Sequence, residues 1–257
     1  FFDWSRQAAL HETNLPSWLW RGSLPRAIEI DEDLIPDFWA GYHRPYVERD
    51  ARLAGGIEDW QDFGRFVRLM GALTAQEINY SQLGREIGMT PQTARRWLGI
   101  MEGTYQWFSL PAFSGNPAKR VSLRPKGHLA DTGLACHHTQ ISSPRALTAH
   151  PLFGALFETA MVNELIKQAS RLPTRPTFHH WRAAGGAEID ILLERDGMLY
   201  PIEIKLTANP NRRMAKGIEA FQAAHAHVNC APGVLLCPVE QTRWVSENVL
   251  AIPWNLI

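Results

Sequence analysis

The chain has 257 residues, enough for one large domain or two to three small ones, with an ordinary globular balance of 45% hydrophobic and 20% charged residues. Its 26 basic and 26 acidic residues cancel, which excludes a global basic field, so any nucleic-acid contact must come from a local patch. Three cysteines (Cys136, Cys230 and Cys237) without metal-ligand spacing argue against a disulfide framework or a structural zinc site.

The chain opens Phe1-Phe2-Asp3-Trp4, without a Met, and runs straight into helical pattern, so a piece of a longer protein is expected. Residues 1–62 read as a helical segment broken at Pro16, Pro25, Pro36 and Pro45. No apolar run approaches the roughly 20 residues that span a bilayer, and no signal-peptide pattern is present; the expected compartment is the reducing cytoplasm, with no membrane contact.

Residues 63–145 read as a winged helix-turn-helix. Phe63, Phe66, Val67, Met70 and Leu73 recur at helical spacing and give one apolar face. Ser81 is the expected cap of a short helix, Gln82 to Ile87, stopped by Gly88; Thr90 followed by Pro91 starts a second helix that runs to about Glu102. Two helices joined by a tight Gly-containing turn make the helix-turn-helix plan. Strands at Tyr105 to Leu110 and Arg120 to Leu123, separated by the turn Ser114 to Pro117, would supply the wing. In the DNA-binding reading Gln92, Thr93, Arg95 and Arg96 meet base edges or phosphates, and Lys119, Arg120, Arg124 and Lys126 form a basic wing. In the other reading the module serves packing or oligomerisation, with Trp97, Leu98 and Met101 in a core.

Residues 146–257 change character and predict an αβββαβ domain on a mixed sheet. An amphipathic helix over Phe153–Ser170 is followed by strands at Thr177–Trp181, Ala187–Glu194 and Leu199–Leu206, a helix from about Arg213 to Ala226, and a strand at Gly233–Cys237. The two adjacent histidine pairs, His137-His138 and His179-His180, are not expected to chelate, since neighbours on a strand point to opposite faces.

The stretch AEIDILLERDGMLYPIEIK carries the most chemistry. Ile189, Ile191 and Leu193 alternate with Glu188, Asp190 and Glu194, and Ile202, Ile204 and Leu206 with Glu203 and Lys205. Asp196-Gly197 is a preferred two-residue hairpin turn. Without a bulge it pairs Arg195 with Met198, and the same register sets Asp190 opposite Glu203 and Glu188 opposite Lys205. Carboxylates facing each other are destabilising. A divalent cation reverses that sign, and Asp190 and Glu203 suit Mg²⁺ or Mn²⁺, with Lys205 placed to orient a water or stabilise developing charge. The plainer alternative is a half-solvated hairpin with a charged outer face.

Asp190, twelve intervening residues, then Glu203-Ile204-Lys205 resembles the D…ExK core of the PD-(D/E)XK nuclease superfamily. That resemblance implies a restriction-endonuclease-like domain with Asp190, Glu203 and Lys205 as catalytic residues, and Glu158, in FETAMVNEL, as a helical acid. Across nearly its full length the chain also resembles the C-terminal part of bacterial and archaeal AAA-type ATPases that carry a domain of unknown function. The matching stretches are WRGSLPRAI (Trp20 to Ile28), YVERD (Tyr46 to Asp50), SQLGREIGMTPQTARRWLGIME, LADTGLA (Leu129 to Ala135), LFETAMVNEL (Leu156 to Leu165), and AEIDILLE with PIEIK. This likeness implies that residues 1–62 are the remnant of an ATPase lid and linker, and that ATP binds only in the full-length protein. No G-x-x-x-x-G-K-[ST] occurs in this chain to cradle phosphates. The functions expected are a nucleic-acid-associated, metal-dependent nuclease-like module or, alternatively, a non-catalytic interaction and regulatory module for its own missing N-terminal ATPase domain. The oligomeric state is left open.

Overall fold

The computed structural model describes residues 14–46, 49, 57, 59–115 and 123–257. They form two compact units, one of Asn14–Ser109 with Lys126–Ala160 and one of Leu110–Pro125 with Met161–Ile257.

In the first unit the prolines start helices more than they break them. Pro16, Pro25 and Pro36 each occupy the opening turn of α1 (Leu15–Arg21), α2 (Pro25–Glu29) and α3 (Ile35–Pro45), where a missing N–H costs nothing. Only Pro45 sits at a helix end. Helix α4 (Trp60–Ala72) is capped by Asp59, whose carboxylate accepts from Asp62 N at 2.9 Å, and it buries Phe63, Phe66, Val67 and Met70 as the spacing predicts.

A short strand, β1 (Gln76–Glu77), precedes α5 (Tyr80–Ile87), which begins at Tyr80 and not at Gln82 because Asn79, not Ser81, is its cap. Gly88 then takes a left-handed φ of 75° and lets the chain reverse into α6 (Pro91–Gly103), capped by Thr90. Strands β2 (Trp107–Leu110) and β3 (Lys126–Leu129) complete a three-stranded sheet in the order β1-β3-β2. The strand expected at Arg120 to Leu123 falls almost wholly outside the described residues, and Leu123 itself is not in a strand. Gly127 is required here, since a Cβ would lie 2.1 Å from the Trp107 ring.

Helices α7 (Thr132–His138) and α8 (Pro144–Thr148) follow, so His137-His138 lies on a helix and not on a strand. Helix α9 (Phe153–Ser170) contributes to both units. It has the predicted length but not the predicted amphipathicity, because every residue from Thr159 to Asn163 is buried. No helix of the described residues is long and apolar enough to cross a membrane.

The second unit continues with β4 (Thr177–Arg182), β5 (Glu188–Arg195), β6 (Met198–Ile204), a 3-10 turn at Arg212–Ala215, α10 (Lys216–Ala224) and β7 (Gly233–Cys237). From α9 on, this is the expected order of elements. A hairpin that the sequence reading missed, β8 (Arg243–Ser246) and β9 (Val249–Pro253), extends the sheet to six strands in the order β4-β5-β6-β7-β9-β8. The sheet is mixed: β4, β5 and β6 run antiparallel, β6-β7 and β7-β9 parallel, and β9-β8 antiparallel.

Helix α10 lays Ile218 and Phe221, both fully buried, over Trp181, Ile189, Leu192, Leu235 and Val249. Each such side chain contributes about 1.5–3 kcal/mol. The helix comes close because Gly217 has no side chain; a Cβ there would meet the Glu188 carbonyl at 2.2 Å. This contact sets the end of β5 on which the acids sit.

Candidate functional site

The acids are positioned by the hairpin turn. Asp196 and Gly197 adopt φ of 51° and 75°, the left-handed pair of a tight two-residue turn. The ladder then runs in the predicted register from Arg195↔Met198 to Ile191↔Ile202. It ends there, one pair short of Asp190 and Glu203. Where the strands separate, the Asp190 carboxylate accepts from the Ile204 amide at 2.9 Å, replacing the backbone partner that β6 has lost.

Asp190, Glu203 and Glu188 each offer one carboxylate oxygen, and these three atoms lie within 4.8 Å of one another. The outer face is not half-solvated at these positions, since Asp190 is 2% and Glu203 4% exposed. Glu188 is open to solvent and pairs with Arg182 at 3.8 Å. Lys205 stands over the pair, its Nζ 2.5 Å from Glu203 Oε1 and 4.0 Å from Asp190 Oδ2. Glu203 Oε2 is buried without a hydrogen-bond partner.

Burial first, and then the Asp190 charge, push the Glu203 carboxyl up to about 8 against the pull of Lys205. Burial draws the Lys205 ammonium down, but Asp190 and Glu203 together carry it above its ordinary value. The site is therefore short of positive charge. Burying carboxylates this close costs several kcal/mol per ion unless cations answer them.

Glu158, predicted as a helical acid of the same site, is a member of the first unit. Lys126 Nζ lies 2.5 Å from its Oε1, and His128 Nε2 lies 3.9 Å from the same oxygen. Lys126 is thus engaged by an acid and does not present a free wing charge. Glu188, which the sequence pattern set opposite Lys205 and outside the metal-ligand pair, is the third member of the acidic cluster. Its place on the strand face of Asp190, two residues away, was the available signal.

On α6, Gln92, Arg95 and Arg96 are exposed, and Arg95 stacks over the Tyr80 ring at 4.6 Å. Thr93 is half-buried and serves the helix start, its N–H donating to Thr90 Oγ1 at 3.1 Å. Trp97, Leu98 and Met101 are buried on the opposite side. Arg124 is exposed, while Lys119 and Arg120 lie outside the described residues.

A domain of unknown function, DUF8612, matches residues 12–145, just over half of the chain. The chain belongs to that family. A second domain of unknown function, DUF4143, matches residues 153–257, the stretch that holds the acidic hairpin. Two mycobacterial proteins are similar over most of this member's length: uncharacterized protein Mb2031c of Mycobacterium bovis and uncharacterized protein Rv2008c of Mycobacterium tuberculosis. Each is 28% identical over 243 residues, covering 93% of this chain and 52% of the relative. The chain thus spans about half the length of the curated relatives it matches.

Proposed function

We propose that this chain is the nucleic-acid-associated part of a longer AAA-type ATP-binding protein, and that the β5–β6 hairpin carries a Mg²⁺- or Mn²⁺-dependent phosphodiesterase site in a restriction-endonuclease-like domain. The observation that carries this reading is the acidic cluster: three carboxylate oxygens within 4.8 Å, two of the three residues buried. With Glu203 Oε2 buried and unpartnered beside them, the all-oxygen donor set fits a hard divalent cation.

Asp190 and Glu203 would hold the metal, with Glu188 completing the set. The bound ion would supply Lewis acidity and lower the pKa of a water. The amide of Ile204 fixes the Asp190 carboxylate, and Lys205 is positioned to orient the attacking water and to offset charge gathering on the phosphoryl oxygens. Glu158, engaged by Lys126, is left out of the ligand set. Gln92, Arg95 and Arg96 are the proposed DNA contacts of a winged helix-turn-helix, and ATP binding belongs to the missing part of the protein.

Isothermal titration of Mn²⁺ and Mg²⁺ tests the site, comparing the chain with an Asp190→Asn, Glu203→Gln variant of matching circular dichroism. Binding by the first and not the second supports the reading and leads to a nuclease screen on DNA and RNA. No binding at millimolar metal, with or without nucleic acid, overturns it. A second reading has its own observation: Lys205 and Arg182 already lie beside the acids, at 2.5 and 3.8 Å. On that reading the hairpin is structural and the chain is a regulatory module for its ATPase.

A further inference from the structure

We propose that the cleft between α3, α4 and α7 in the first unit binds a small organic anion bearing a planar ring. The cleft measures about 430 Å³, within the range of roughly 300–1,000 Å³ typical of small-molecule sites and far more than a bare inorganic anion fills.

Three histidines meet in it. The His43 ring centroid lies 4.6 Å from that of His138 and 5.9 Å from that of His137. His138 is 6% exposed, yet neither of its ring nitrogens has a hydrogen-bond partner, and His43 Nδ1 is buried and unpartnered too. A folded protein rarely leaves such groups unpaired. The crowding is built in: a Cβ on Gly71 of α4 would sit 2.8 Å from His138 Cβ, and one on Gly133 of α7 would sit 2.6 Å from Trp39 Nε1.

Among the described residues the histidine nitrogens do not come together as a metal-ligand set. Burial first, then His137 and Arg68, lower His43 to about 4, and burial likewise lowers His137 and His138. All three rings are therefore neutral at pH 7, each with one donor and one acceptor. Arg68 lines the same cleft, is exposed, and makes no ion pair among the described residues, so it supplies the charge for an anion. Ile35, Pro36 and Ile141 add apolar lining to the cleft. The half-buried His43 and His137 rings line the cleft and offer flat aromatic surface to a planar ring.

The test is isothermal titration of AMP, benzoate, inorganic phosphate and zinc chloride, each separately, into the chain without other divalent metals. The same titrations into the Asp190→Asn, Glu203→Gln variant keep this cleft apart from the hairpin site. AMP or benzoate is expected to bind, phosphate at least about tenfold more weakly, and Arg68→Gln to weaken the ring-bearing anion about tenfold or more. Because Arg68 is exposed, that variant keeps its fold, which its circular dichroism checks; His43→Gln is the second variant, expected to weaken binding as well. Four results overturn the proposal: no heat from either ring-bearing anion at millimolar concentration, phosphate binding as tightly as AMP, zinc alone binding to the Asp190→Asn, Glu203→Gln variant, or affinity unchanged in both cleft variants.

Discussion

Glu203 makes the acidic hairpin measurable without any metal. Its carboxyl titrates at about 8 in the folded chain against an ordinary 4.5, because it is buried beside Asp190. The unfolded chain gives up this proton near 4.5, while the folded chain keeps it to about 8. Below the lower value both states are protonated, and Glu203 adds no pH dependence. Between the two values folding takes up a proton, so stability falls as pH rises, and above about 8 the loss is complete. Carrying a carboxyl across that interval corresponds to at most about 5 kcal/mol. Lys205, 2.5 Å away, shares the proton, so the expected fall is about 2–5 kcal/mol. Urea unfolding at intervals from pH 4.5 to 9, in chelator, measures it as the difference between the chain and Glu203→Gln. The variant is expected to match the wild type at the acid end and to exceed it by that amount at pH 9. A divalent cation in the cluster would favour the carboxylate, so Mn²⁺ should restore the wild type at pH 9 and leave the variant unmoved. Parallel pH profiles for the two proteins would show that Glu203 is ordinarily ionised, and the argument for a charge-starved site would fail with it.

Other perturbations test the scaffold and the proposed DNA face. Gly217→Ala drives a methyl into the Glu188 carbonyl and should cost about 1–3 kcal/mol in urea unfolding. It should also weaken Mn²⁺ binding, since the same contact positions β5. Thr159→Val removes the hydroxyl that joins Thr74 at 2.7 Å to His128 at 3.2 Å, all three fully buried, and should cost about 1–3 kcal/mol in the same assay. Arg95→Gln with Arg96→Gln should weaken DNA binding and flatten the dependence of log K on log salt by roughly one per arginine; an unchanged slope removes α6 as the contact surface.

How much could be read in advance depended on how far apart in sequence the deciding residues lie. The β5–β6 register followed from the Asp196-Gly197 turn and a period-two pattern, both local, and the observed ladder from Arg195↔Met198 to Ile191↔Ile202 keeps it. The start of α6 was equally local, since Thr90 and Pro91 are adjacent. The same locality misled at α5, where Ser81 and Asn79 are both good caps and Asn79 is the one whose side chain reaches Gln82 N, at 3.2 Å. The burial of Asp190 and Glu203 was hidden because alternation reports which face a side chain takes, not what later covers that face. The β8–β9 hairpin was hidden because β8 leaves Trp244 60% exposed, with no apolar face to announce a strand.

The imidazole cleft is assembled from residues far apart in the chain. His43, Arg68 and His138 come from three helices, and nothing in the sequence ties one to another; the adjacent pair His137-His138 even suggested residues pointing apart. What joins them is the absence of side chains at Gly71 and Gly133, which lets α7 settle against α4 and the Trp39 of α3. A glycine within a helical pattern costs about 1 kcal/mol relative to alanine, so on sequence alone each of these positions is only a weak point. In the fold they are the clearance that brings His138 up to His43. Gly71→Ala should therefore both destabilise the first unit and loosen the ring-bearing anion, whereas a glycine with open space around it in α6, Gly99, should tolerate alanine with no loss of either. If Gly71→Ala binds AMP and benzoate as the wild type does, the close approach of α4 and α7 is not what forms the site.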